Sequence, residues 1–449
     1  MKTITKNTRT VYIQYAIPSV LGMLAVSSAA VIDGFFVGHY VGASGLAAIN
    51  LAMPIFSLFF GLALMLGVGS SVVSGKLIGE GNIALANVMF SKTVIAVGLI
   101  SLALIAMLYL ILEPFLKAFG AAGDLLTDTS TYVTLFLPFI PFLMVGIVLD
   151  YFVKIDNRPN LAFSALLLSA LINIFLDWLF IAYFKHGISG AALATGISQL
   201  ALIFILLPHF FSKKAAIKFT RSTGQWLAII KAGSNGASEF INEASVGITA
   251  LIFNYVMLKT FGVDGVAAYA VISYLIWFSI MINFGISDSL QPLISKNYGA
   301  KRPDRIVKFL TYAFMSVLVS GVSIVALIFV LPNTLAEIFL QSNDVDAINI
   351  VLTFSTLIWP LFLFNGVSLV ISAYFTAIHK PLPSGSIALC RSLILPVILV
   401  YLLPKYFGYT GIYLAIPVAE FLSMVLAIVL FTKLAPNKVM NGIEYSINK

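Results

Sequence analysis

The sequence predicts an all-α integral membrane protein, with twelve transmembrane helices arranged as two pseudo-symmetric six-helix lobes. Three observations carry that prediction: an apolar composition, a series of membrane-length apolar spans, and an internal repeat at an offset of about 220 residues. The 449-residue chain is 60% hydrophobic and 10% charged, with a mean hydropathy of +1.03. Soluble domains carry about 25% charged residues, so an ordinary soluble enzyme is excluded. Recurring apolar stretches near 20 residues also exclude disorder, collagen, coiled coil and a small disulfide scaffold. The one cysteine, Cys390, permits no internal disulfide.

The predicted spans cover approximately 11–35, 48–75, 89–113, 129–153, 160–184, 189–211, 235–259, 266–295, 308–331, 350–377, 383–405 and 410–434. The basic segment 1–10 precedes an apolar run with no small-residue cleavage motif, so 11–35 is expected to be a retained span. Assigning loops to alternate sides leaves only Lys117, Lys185, Lys259 and Lys405, of 26 basic residues, on the second side. Loops that retain positive charge are cytoplasmic, which places both termini in the cytoplasm. No transit sequence is visible, and a bacterial or archaeal inner membrane is expected. The net charge of +8 then reflects topology and anionic lipid, with no nucleic-acid partner implied.

The chain repeats itself. VGASGLAAINLAMPI at 41–55 aligns with FGVDGVAAYAVISYL at 261–275, and SGKLIGEGN at 74–82 with ISKNYGAKR at 294–302, both at an offset of 220. Arg158-Pro159 faces Lys380-Pro381, and the segment 187–190 faces 408–411, at offsets of 222 and 221. An even number of spans per half leaves the halves in one orientation, related by an axis along the membrane normal. The expected organisation is an amino-terminal lobe over 1–211, a cytoplasmic connection over 212–231, and a carboxyl-terminal lobe over 232–449. The connection is either an interfacial helix or plain loop. Loop glycines such as Gly42 and Gly299 are expected to serve tight turns.

Charged residues inside a bilayer are costly and are usually functional. The first half holds Asp33 in span one, with Asn173 and Asp177 one helical turn apart in span five. Span directions place these at one depth with Thr195 of span six and Tyr132 of span four. Two carboxylates, an amide, a hydroxyl and a phenol suit either a hard cation or a protonatable carboxylate pair, and they supply no activated nucleophile for catalysis. Asp33 at an interface, and Asn173 and Thr195 as helix-packing residues, are the competing structural roles. Pro18, mid-span, removes a backbone hydrogen bond and allows span one to bend.

The repeat offset carries neither acid into the second half. Instead Glu239 and Glu243 lie four apart in span seven, and Asp288 lies in span eight, as possible carboxyl-lobe acids that attract cationic substrate or titrate. Glu239 is only a turn from the interface, where a solvated role competes. No Cys or His spacing marks zinc, and no Gly-rich phosphate loop precedes Lys-Ser or Lys-Thr. No cofactor is expected, and energy should come from an ion gradient.

Pro18 with Asp33, Asn173-x-x-x-Asp177, Thr195 and the paired Gly-rich loops together resemble the multidrug and toxic compound extrusion (MATE) transporters, across essentially the full chain. The resemblance is to the archaeal and DinF-like group. It implies that Asp33, Asn173, Asp177 and Thr195 form a cation site (Na+ and/or H+) with Tyr132 nearby, and that Pro18 takes part in bending helix one. It also implies export of cationic or amphipathic drugs by a secondary antiporter that rocks two lobes in alternating access, and a monomer is expected. Span ten has no acid, so Glu239 and Glu243 are not carried over to the carboxyl-lobe site of the NorM type. The alternative is a lipid-linked or small-metabolite flippase of the same superfamily; such relatives often carry fourteen spans and basic cavities. A lipid-modifying membrane enzyme would cluster its acids and histidines near one interface.

Overall fold

The computed structural model describes residues 5–221, 224, 226–330 and 345–440, so parts of the predicted 212–231 connection, the carboxyl-terminal lobe and the amino terminus lie outside the described residues. Twelve helices are long and apolar enough to cross a membrane, and no strand occurs among the described residues. The membrane spans are α1 (Thr8–Tyr40), α2 (Ala43–Gly79), α3 (Ile83–Ala118), α4 (Gly123–Ile155), α5 (Pro159–Tyr183) and α6 (Gly187–Phe211), then α8 (Ala237–Gly262), α9 (Asp264–Gly299), α10 (Pro303–Val330), α12 (Pro360–Ala377), α13 (Pro381–Phe407) and α14 (Tyr409–Lys433). Two shorter helices are α7 (Trp226–Asn235) and α11 (Val345–Ile358). Each predicted span has its helix, because in hydrocarbon a chain must satisfy its own backbone groups. Span ten is broken at Trp359-Pro360, where proline cannot donate to the preceding turn.

The repeat reappears in the backbone. Left-handed φ values recur at Gly42 (97°) and Gly262 (68°), Gly81 (86°) and Lys301 (53°), Asn157 (64°) and His379 (60°), and Gly187 (57°) and Gly408 (57°). These pairs have the sequence repeat's own offsets, so both halves use one set of turns. Gly42 serves the turn expected of it. Gly299 does not: it ends α9, and the left-handed position falls on Lys301 two residues on.

The chain forms two compact units, Leu21–Ala244 and Met1–Val20 with Ser245–Lys449. In the first, α2 packs on α3 and α4, and α5 packs on α6. Its core includes Phe90, stacked on Phe210 at a centroid distance of 4.4 Å and tilted against Phe152 and Phe219 at 4.9 and 4.7 Å. In the second, α12 packs on α10 and α14, and α13 on α14.

The stretch after α6 is irregular up to residue 221 and becomes helical only at α7. It is strapped to the 21–244 unit by side chains. Asp156 accepts from the Ala216 amide at 3.1 Å and lies 2.6 Å from His209 Nε2. Asn87 Oδ1 accepts from Lys218 N at 3.0 Å, Ser91 Oγ from Thr220 N at 2.8 Å, and the Lys92 ammonium sits 4.2 Å from the Trp226 ring. Buried groups stripped of a charged partner lose about 1 to 3 kcal/mol. Asp156→Ala is therefore expected to speed proteolytic cleavage within 212–221 by roughly tenfold or more. Limited proteolysis in detergent measures it.

Candidate functional site: a buried carboxylate pair

All five amino-half candidates lie in the 21–244 unit. Asp33 occupies the last two turns of α1, seven residues before its end at Tyr40. Tyr132 lies on α4 just before that helix tightens into a 3-10 turn over Leu137–Phe139, where Pro138 cannot donate. α5 starts at Pro159, whose fixed φ suits a first helical position, and carries Asn173 and Asp177 one turn apart. Directly after Asp177 it widens into a π-helical segment, Trp178–Tyr183. Such segments insert a residue and concentrate at functional sites. α6 begins at Gly187 with φ of 57° and brings Thr195 into the same bundle.

The structure brings these residues together. The Asp33 carboxyl faces that of Asp177, and the Tyr132 phenol lies beside the Thr195 hydroxyl, within electrostatic range of both carboxyls. Asp177 is fully buried, with Tyr132 and Asn173 nearly so, while Asp33 and Thr195 are partly buried. Phe56 fixes the Tyr132 ring edge-to-face at 5.7 Å. Asn173 sits a turn from Asp177 and is buried among these helices.

The hydrogen-bond account of the cluster does not close. Asp33 Oδ1, both Asp177 oxygens, Asn173 Nδ2 and Thr195 Oγ1 are buried without a hydrogen-bond partner of normal geometry. Buried polar atoms are overwhelmingly partnered in native proteins, so the unpartnered oxygens mark this cluster as the candidate site. Two facing carboxylates want positive charge between them, and the carboxylate and hydroxyl oxygens fit a hard cation or a shared proton, whereas Asn173 Nδ2 can only donate. Among the described residues no group of three or more His, Cys, Asp and Glu is arranged to hold a metal ion.

The other predicted residues are dispersed. Pro18 lies inside α1, fifteen residues before Asp33, and the two units divide just after it, between Val20 and Leu21. Glu239 is buried, not solvated at an interface. Glu239 and Glu243 belong to the 21–244 unit, where Glu243 faces Ser57 and lies against Gly61 of α2. Asp288, also buried, belongs to the other unit. Sequence reasoning missed a buried ion pair between Arg391 and Glu420. Its signal was available, since Glu420 is the lone carboxylate of span twelve and Arg391 lies well inside span eleven.

The geometry agrees with what the chain is similar to. The MatE family model matches residues 18–179 and 240–402, one copy in each half. The multidrug export protein MepA of Staphylococcus saprophyticus is 23% identical over 410 residues, covering 90% of this chain and 89% of that protein. MepA of Staphylococcus aureus is 24% identical over 428 residues, covering 93% and 92%. Among solved structures, an outward-facing multidrug resistance MATE family transporter superposes with a TM-score of 0.90 at 21% identity, covering 99% of this chain and 98% of that one. A superfamily transporter from Pyrococcus furiosus gives 0.89 at 20% identity, with coverage of 99% and 98%. With both halves matched by the family model, the chain belongs to the MATE family and is a multi-pass membrane transporter, not an enzyme.

Proposed function

We propose that this protein is a secondary active multidrug efflux antiporter that expels cationic or amphipathic compounds in exchange for Na+ or H+. The observation that carries the coupling is the facing pair Asp33 and Asp177, with their unpartnered oxygens. The family, and the printed name of the curated relatives, multidrug export protein, support the export. Asp33, Asp177, Asn173 and Thr195 would hold the ion, with Tyr132 and Thr195 positioning the carboxyls. The ion supplies positive charge; the side chains convert its arrival into a change of local geometry. An ion drives export only if it and the substrate favour different states of the same lobes. Pro18 provides the weak point at which α1 bends as Asp33 moves.

Six-helix lobes over 1–211 and 232–449 rocking about a central path, both termini in the cytoplasm, and a monomer in the inner membrane complete the reading. Placement in the archaeal and DinF-like group rests on the Asp33, Asn173, Asp177 and Thr195 pattern. Reconstitution tests it: a fluorescent cationic dye is followed in proteoliposomes under a sodium gradient and a pH gradient imposed separately. Export that tracks one gradient names the ion. Equal dye movement with neither gradient sinks the antiporter reading and favours the flippase.

A further inference from the structure

A further buried charged pair lies in the unit that contains α13 and α14. Glu420 stands near the middle of α14, and Arg391 ten residues into α13. Arg391 Nη1 lies 3.4 Å from Glu420 Oε1, with the two side chains only 7% and 9% exposed. α13 is π-helical over Cys390–Ile394, and the Ser392 carbonyl there accepts from Thr249 Oγ1 of α8 at 2.6 Å. Glu420 Oε2 is buried with no hydrogen-bond partner, and so is Ser423 Oγ, three residues along the same face of α14.

Packing does not require this pair. The offset of 222 at Arg158-Pro159 carries Ser169 onto Arg391, and the offset of 221 at Gly187 carries Gln199 onto Glu420. In the 21–244 unit the same two helices are joined at this level without charge, the Ser169 hydroxyl donating to the carbonyl of Ser198, the residue before Gln199, at 2.7 Å. The same two helices of the repeat are thus joined by a neutral hydrogen bond in one half and by an ion pair in the other. A buried ion pair is costly to desolvate and gives little stability over a neutral contact. The Nη1 contact to Oε1 is long, and the second Glu420 oxygen has no hydrogen-bond partner.

We propose that Glu420, with Ser423, is a monovalent-cation site of the carboxyl-terminal unit, and that the Arg391 guanidinium occupies it as a tethered cation. The ligand class is a singly charged cation, either an inorganic ion or an organic guanidinium or ammonium group, that takes the Glu420 carboxylate when Arg391 withdraws. No residue is shared with the Asp33 and Asp177 cluster, so the two readings stand or fall separately.

Thermal unfolding in detergent tests the proposal on wild type, Arg391→Met, Glu420→Gln and the double variant. Each is measured in choline chloride, in sodium chloride of equal ionic strength, and with millimolar guanidinium added. Wild type sets the baseline cation response. Arg391→Met is expected to melt about 3 to 5 °C lower, since it strands a buried carboxylate, and to recover most of that loss in guanidinium or sodium beyond the baseline. Guanidinium-selective recovery identifies an organic-cation site, and recovery in sodium an inorganic one. Glu420→Gln and the double variant are expected to show no added response, and the double variant to melt closer to wild type than Arg391→Met. An unresponsive Arg391→Met, or a double variant that recovers as well, overturns the proposal. Should Arg391→Met give no folded protein, Arg391→Lys and the double variant decide: both must fold, and a double variant that fails like the single overturns it.

Discussion

Asp177→Asn is expected to cut ion-driven dye export by about 100-fold, the upper end of the roughly 5- to 150-fold that a coupling free energy of 1–3 kcal/mol represents. Asp33→Asn should do the same, and the double variant should be no worse than either single, because the two carboxyls face one another and are proposed to act on one ion. Stability should move the other way from activity. Replacing one of two facing buried carboxylates with a neutral amide removes a repulsion, so neither variant should melt below the ion-free wild type. A ligand that binds only the folded state stabilises it by about 2.7 kcal/mol at 100 times its Kd. Wild type should therefore gain a melting increment in its coupling ion that both variants lack, and the ion that produces the increment is named by it. Glu113→Gln is the control, since that acid is exposed and paired with Lys117 one turn on. Variants that keep both the increment and the export would leave the cluster a packing feature.

Much of this was legible in the sequence because a bilayer imposes simple rules. Spans must be long and apolar, and acids within them must meet a partner. Depth alone placed Asp33 with Asp177, although they are 144 positions apart in the chain. The repeated turns were legible as Gly-x-x-Gly patterns, but Lys301 in a left-handed turn was not, because its Gly81 counterpart hides the equivalence. What could not be read was which helix faces which. Glu243 was assigned to the carboxyl half by chain order, yet Gly61 leaves room for it against α2. Arg391 was counted with the loops because a basic residue usually marks a membrane edge, and only Glu420 across the helix pair makes its burial tolerable.

Gly69→Ala is the substitution expected to damage the fold most for the fewest atoms. A Cβ at Gly69 of α2 would lie 1.9 Å from the Ala232 carbonyl oxygen and 3.0 Å from the Gly236 amide nitrogen. The approach is reciprocal, since a Cβ at Gly236 would lie 2.1 Å from the Met65 carbonyl oxygen. The obstacles are backbone atoms of α2 and of the α7–α8 junction, which cannot swing aside as a side chain can. One methyl must separate the two segments, and overpacking of this kind costs on the order of 3 kcal/mol or more. In a chain of this size the melting temperature should fall by about 3 °C or more, read by fluorescence-detected size exclusion after heating. Gly98→Ala supplies the opposite sign. That glycine lies inside α3 with nothing within 4 Å of an added Cβ, so alanine should stabilise by up to about 1 kcal/mol through helix propensity alone. The same contact seats α7, which follows the strapped segment held by Asp156, Asn87 and Ser91. Gly69→Ala should therefore also raise protease cleavage within 212–221, as Asp156→Ala does, whereas Gly98→Ala should leave it unchanged. A Gly69→Ala protein that melts and resists protease like wild type would mean that the two backbones separate at no cost, and the close approach would then carry no stability.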